Sequence, residues 1–166
     1  MKVLVRLLFL ASAIALGFWT WNILFSNPKT IIRNRLKQLA ELASFSAREG
    51  NISRVVSIEK LGGFFTENAR VVVDVPGWET HTFDSRDELM QAALAARSSA
   101  ASMQVKFLDP NIQVDSSDQS ALIDVTLTAK IDNETDAIVQ ELKFTMRKIK
   151  GDWLITHVET VKTLKL

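Results

Sequence analysis

The sequence predicts an α+β domain in which three helices pack on a curled, mainly antiparallel six-stranded sheet, behind one N-terminal apolar segment. Three observations carry this expectation. Residues 103–161 alternate apolar and polar side chains in four long stretches broken by short turn sequences. The region before them holds three segments with helical spacing and one apparent hairpin. Leu7 to Phe25 is a run of 19 residues without a charge. The chain therefore divides into an anchor over 1–26 and a folded domain over 27–166.

The N-terminal run has close to the ~20 apolar residues a helix needs to cross a bilayer. Trp19 and Trp21 sit near its far end, where interfacial aromatics gather. A cleaved signal peptide is the rival reading, with Lys2 and Arg6 as its charged region and Ala11-Ser12-Ala13 or Ala13-Ile14-Ala15 as its cleavage site. Those sites come early and the apolar run continues past them, which favours an uncleaved signal anchor. A core helix would show one apolar stripe, and this run is apolar on all sides. Two basic side chains precede the run and four follow it, so literal counting of positive charges would leave the domain in the cytoplasm. A very short N-terminus before one apolar segment favours export instead. A single-pass protein of the cell membrane with an extracytoplasmic domain is the expectation.

Ser26-Asn27-Pro28 breaks the run and opens a helix, with Asn27 as cap and Pro28 in the first turn. Ile32, Leu36, Leu39 and Ala43 form its core stripe, widened by Leu42 and Phe45, and Gly50-Asn51 is the expected stop. A shorter helix follows over 52–61, with Ile52, Val55 and Val56 expected inward and Gly62-Gly63 as terminator. Phe64 and Phe65 read as core plugs. Ala69 to Val75 reads as a strand, Pro76-Gly77 as a turn, and Trp78 to Phe83 as the returning strand. Ser85-Arg86-Asp87-Glu88 matches a capping box, in which a hydroxyl and a glutamate three residues later satisfy the first N–H groups of a helix. Leu89, Ala92, Ala93 and Ala96 are the expected inner positions of that helix.

From Met103 to Val114 the alternation is interrupted at Asp109-Pro110, which predicts one long strand bent by a bulge. Ala121 to Ile131 is the most regular strand, with odd positions apolar and Asp124, Thr126, Thr128 and Lys130 between them. Ile138, Gln140, Leu142, Phe144 and Met146 share one face of the next strand. Lys150-Gly151 is a two-residue hairpin turn into the last strand. Matching apolar faces pairs Leu127 with Leu142, Val125 with Phe144, Ile123 with Met146 and Ala129 with Gln140. Closing the hairpin at Ile149 and Asp152 then sets Met146 against Ile155, Phe144 against His157, Leu142 against Glu159 and Gln140 against Val161. Without a bulge, Gln140, His157 and Glu159 are polar groups on an otherwise apolar inner face. A bulge near Thr156 would turn His157 outward.

Composition narrows the chemistry. There is no cysteine, so no disulfide or thiolate site, and two histidines do not make a multi-histidine metal centre. No cofactor and no metal are expected. The formal net charge of +1 conceals an asymmetry: Lys2, Arg6, Lys29, Arg33, Arg35 and Lys37 precede every acid, leaving 14 of the 20 basic residues against 19 acidic ones from residue 38 onward, a net of −5. A basic collar of Lys29, Arg33, Arg35 and Lys37 beside an apolar run suits anionic lipid headgroups. The acidic remainder argues against nucleic acid, which demands a basic footprint.

The order of elements is similar to that of the NTF2-like, or SnoaL-like, cone-shaped α+β fold. Phe64-Phe65-Thr66-Glu67-Asn68-Ala69 leading into Val71–Val75 and Pro76-Gly77 resembles its passage from helix to first strand. Ser85-Arg86-Asp87-Glu88-Leu89 resembles the start of its third helix, and Gly151-Asp152-Trp153-Leu154-Ile155 its closing strand. The resemblance covers about residues 29–164. It implies a curled sheet around a conical pocket, in a superfamily that includes isomerases, dehydratases, cyclases, binding domains and assembly modules. Fold alone does not choose among these. The chain has no tyrosine, so the tyrosine-containing oxyanion hole of ketosteroid isomerase-like members is absent. A scytalone dehydratase-like histidine pair would need both His81 and His157 in the pocket, and the alternation leaves the facing of His81 open.

Two readings of function follow. In the first, the tethered domain is a non-catalytic binding or assembly module. In the second, it is an isomerase, dehydratase or cyclase acting on a small molecule, with His157 as general acid or base and Glu159 beside it. A small apolar ligand would be lined by Gln140, Phe144, Trp153 and His157. The plain alternative is that His157 and Glu159 are rim residues. Missing tyrosine and an incomplete acid–base set favour the first reading. The outer sheet face, with Asp124, Thr126, Thr128, Lys130, Glu141, Lys143 and Arg147, is the expected surface if the chain forms a homodimer.

Overall fold

The structure, a computed structural model, describes residues 27–74, 79–132 and 137–161. Three helices, α1 (Pro28–Ala43), α2 (Asn51–Gly62) and α3 (Arg86–Ser99), accompany six strands: β1 (Phe65–Val73), β2 (His81–Phe83), β3 (Met103–Val114), β4 (Ser120–Ile131), β5 (Ile138–Ile149) and β6 (Asp152–Thr160). They form one sheet in the order β2-β1-β6-β5-β4-β3, antiparallel except where β1 runs parallel to β6. The expected anchor over 1–26 lies outside the described residues. Among those described, no helix is long and apolar enough to cross a membrane.

One face of this sheet carries the core. Phe83, Val71, Val158, Phe144, Ile123 and Ile112 stand in register across all six strands. Five of the six are buried and Phe83 is partly so. Ile32, Leu36 and Leu39 of α1 cover this row, with Leu61, Phe64 and Phe65 closing it from the α2–β1 side. Asn27 accepts from the Lys29 N–H at 3.0 Å and Pro28 opens α1, as the sequence predicts.

α1 stops earlier than Gly50-Asn51. The Ser44 hydroxyl donates to Ala40 O at 2.8 Å and accepts from the Val105 N–H at 2.9 Å, and Phe45 exchanges both backbone hydrogen bonds with Met103. The chain leaves the helix to serve an otherwise unpaired sheet edge. α2 is also turned relative to expectation. Ile52 and Val55 are 83% and 61% exposed, and the inward stripe is Ser57, Ile58 and Leu61. The anchor is polar: Ser57 donates to Glu49 at 3.1 Å, and Glu49 pairs with Arg97 at 2.7 Å. Arg97, 3% exposed, also donates to Leu42 O and stacks on the Phe45 ring at 5.1 Å. One guanidinium thus ties α3 to the α1–α2 connection.

β1 begins at Phe65, four residues before the expected start, so Phe65 is a strand residue as well as a core plug. Ser85 caps α3, accepting from the Glu88 N–H at 3.2 Å, while Glu88 reaches back to the Asp84 N–H at 2.9 Å. β3 is one bent strand whose register shifts between Leu108 and Asn111, with Asp109 at φ 49°. Lys150 and Gly151 close the β5–β6 hairpin with positive φ at both positions, the conformation that tight hairpin turns demand. The β4–β5 pairing keeps its predicted faces but slides by two residues: Leu127 faces Gln140, Val125 faces Leu142, Ile123 faces Phe144 and Ala129 faces Ile138. A two-residue slide preserves the apolar side, which is why alternation alone did not detect it.

In the β3–β4 turn the Asp115 carboxylate accepts from the Ser117 hydroxyl at 2.7 Å, the Ser120 N–H at 3.0 Å and the Gln119 N–H at 2.9 Å. Those hydrogen bonds, the Ser117 hydroxyl first, bring its pKa down to about 2 from the ordinary 3.8. A depressed carboxylate stabilises the fold above its unfolded pKa and loses that contribution as pH falls through the folded value. Protection factors of the Gln119 and Ser120 amides, taken against intrinsic exchange rates, should therefore hold down to about pH 4 and fall as pH drops toward 2, and Asp115→Asn should abolish that step. At the buried pair, Arg97→Ala should cost about 3–5 kcal/mol in urea unfolding by stranding the Glu49 carboxylate. The Glu49→Leu/Arg97→Leu double exchange should recover most of that loss.

Candidate functional site

The inner face, where the sequence placed polar exceptions, is dry. The β5–β6 pairing begins as expected, with Ile149 against Asp152 and Met146 against Ile155, and then shifts. Thr156 is the extra residue of a bulge, its hydroxyl donating to Thr145 O at 3.2 Å. Beyond it, Thr145 faces His157, Phe144 faces Val158, Lys143 faces Glu159 and Leu142 faces Thr160. The expected pairs of Phe144 with His157 and Leu142 with Glu159 are corrected accordingly: His157 and Glu159 lie on the outer face. A bulge inserts one residue into one strand and reverses the facing of all that follow. It exchanges an imidazole for the Val158 side chain at the centre of the core row.

The sequence-predicted residues therefore separate. Phe144 and Trp153 are 2% and 1% exposed, packed in the core, where Phe107 meets Phe144 edge-on at 5.5 Å. Gln140 is on their face but at its rim, donating to Val161 O at 3.4 Å. His157 and Glu159 are 3.5 Å apart on the outer face, with side chains 33% and 46% exposed. His81 pairs with Val73 and so shares the inner-face parity of Val71 and Phe83, while being exposed at the sheet edge. The two histidines thus project from opposite faces. The space expected for a conical pocket holds Phe64, Phe65, Phe144 and Trp153, all buried.

The outer face carries a charge row in which Lys143 lies in register between Asp124 and Glu159, followed by Thr126, which donates to Glu141 at 2.7 Å. Among the described residues no group of three or more His, Asp or Glu is placed to hold a metal ion.

A different concavity is present. Between α1 and the edge strand β3 lies an open groove of about 680 Å³, with Leu36, Ala40, Val105, Phe107 and Pro110 along its floor. Arg33 and Lys37, one turn apart on α1, and Lys106 on β3 border it, and Glu41 and Ser44 stand at the end where α1 stops. Sequence reasoning assigned Arg33 and Lys37 to a lipid-facing collar and did not see that β3 would complete a groove with them. Arg35 leaves that collar: it lies over the Phe64 ring at 4.7 Å and approaches Asp152 at 3.9 Å. Burial lowers its pKa, with Asp152 opposing the shift.

Solved structures share this architecture. An NTF2-like protein with a cystatin-like fold from Novosphingobium aromaticivorans matches with TM-score 0.58 at 14% identity, covering 91% of this chain and 86% of its own. A protein of unknown function with a cystatin-like fold from Nostoc punctiforme matches with TM-score 0.60 at 16% identity, over 80% of this chain and 88% of that one. A provisionally assigned scytalone dehydratase from N. aromaticivorans matches with TM-score 0.54 at 15% identity, over 82% and 81%. No family model and no curated protein sequence matches the chain. The chain has the NTF2-like, cystatin-like fold with a mixed six-stranded sheet and three helices. At these identities the likeness is one of fold.

His157→Ala should change unfolding free energy by less than about 1 kcal/mol, as expected of a surface pair. Phe144→Ala, at the centre of the core row, should cost about 3–5 kcal/mol. Equal losses in urea titrations of the two variants would refute the outward placement of His157.

Proposed function

We propose that this protein is a membrane-tethered, non-catalytic binding module. The observation that carries the reading is the Thr156 bulge. It removes His157 and Glu159 from the inner face and leaves Val158 there, so the interior holds core side chains instead of an acid–base set. The opposed placement of His81 and His157 removes support for paired-histidine chemistry. The reading of an isomerase, dehydratase or cyclase with His157 and Glu159 in a conical pocket loses its geometric basis. The α1–β3 groove, with its apolar floor and basic border, is a concave surface suited to binding.

The tether rests on the uncharged run Leu7–Phe25, which ends two residues before the Asn27 cap of α1. Lys29, Arg33 and Lys37 follow at intervals of four along α1 and are exposed, so they share one helix face. Such a face adjoining an apolar run attracts anionic headgroups at about 1 kcal/mol per basic residue near the surface.

Two measurements test the reading. The full chain should remain with membranes through alkaline carbonate extraction, and a chain beginning at Asn27 should be released. Incubated with a metabolite extract and followed by mass spectrometry, the full chain should return retained compounds chemically unchanged. A compound whose conversion disappears in His157→Ala would establish the enzyme reading instead.

A further inference from the structure

We infer that the groove between α1 and β3 takes a single-chain anionic amphiphile, a long-chain fatty acid, with its carboxylate against Arg33 and Lys37. The inference rests on the tethered-module reading for its setting and names the ligand class of that module. A volume near 680 Å³ falls within the ~300–1,000 Å³ of small-molecule sites. The floor is apolar along its length, so a small soluble anion would leave it unfilled. The border is cationic: Arg33, Lys37 and Lys106 are exposed, and none lies within ion-pair distance of a carboxylate among the described residues.

The charges also set polarity. Arg33 lies in the first half of α1 and Lys37 one turn on, while Glu41 stands one turn further along beside Ser44. An acid headgroup is attracted at the first end and repelled at the second, so the tail runs over Leu36, Ala40 and Val105. A peptide strand is a poor occupant, although the groove follows a sheet edge. Ser44 and Phe45 already satisfy the edge groups of Val105 and Met103, and Asp109-Pro110 breaks the ladder with a left-handed residue and a missing N–H. From Pro28 to Arg33 the helix rises only about 8 Å. A tethered domain would therefore hold the cationic mouth near the bilayer surface, where single-chain lipids partition.

The test uses the full chain in phosphatidylcholine nanodiscs and a palmitate bearing a diazirine in its tail, with adducts mapped by mass spectrometry. Adducts are expected on Leu36–Ala40 and Val105–Leu108, suppressed by excess palmitate and unaffected by hexadecanol, which has the same chain without the charge. Arg33→Gln/Lys37→Gln should reduce groove labelling about tenfold, the scale of losing a charge-assisted contact. Adducts confined to residues 7–25, equal suppression by hexadecanol, or labelling unchanged in the double variant would overturn the inference. Carbonate extraction of the same nanodisc-free membranes reads the tether separately, so a lipid result can fail while the tethered module stands.

Discussion

Phe83, Val71, Val158, Phe144, Ile123 and Ile112 form a continuous apolar row across six strands, and the strand register and the placement of α1 answer to keeping that row buried. Burial of each such side chain contributes on the order of 1.5–3 kcal/mol, so a polar group in the row would both forfeit that contribution and require a partner. α1 lies over it with Ile32, Leu36 and Leu39. The Thr156 bulge is the local device that keeps Val158 in the row. A strand without the extra residue would have presented His157 at its centre.

That same device shapes the functional reading. Folds of this kind are associated with an interior cone, yet here aromatic side chains occupy the interior and the polar residues of β6 are on the outer face. A concave surface lies instead at the seam where α1 meets the β3 edge. Its existence follows from two edge treatments. Ser44 and Phe45 bind the edge at Met103 and Val105, and Asp109-Pro110 bends it farther along. The strand edge is thereby closed to another strand while a groove stays open beside the helix. Basic residues that would be an undistinguished solvated stripe on an isolated helix become the rim of a cavity.

The helical layer is held differently. Arg97, Glu49, Ser57 and the Leu42 carbonyl form a polar knot between α3 and the α1–α2 connection. A buried ion pair is weak as a source of stability and stronger as a source of register, because removing one member leaves a charge without compensation. The knot explains why α2 presents Ile58 and Leu61 inward and leaves Ile52 and Val55 outside.

By itself the sequence determined the α+β class, the element order, the long bent β3, the Lys150-Gly151 hairpin, the α3 cap and the apolar parity of β3, β4 and β5. These depend on side-chain period and local backbone preference, which are properties of neighbouring residues. Tertiary structure decided the rest. The β4–β5 slide of two residues is invisible to a period of two. The turn of α2 is tied through Glu49 to Arg97, 40 positions away from the helix residue Ser57. The facing of His157 and Glu159 depends on one inserted residue that aligns Val158 with strands on both sides. The groove joins residues more than 60 positions apart, such as Leu36 and Val105, so no local pattern encodes it. Which polar residues are available for chemistry was thus a question of long-range register, and it was settled by the need to bury Val158.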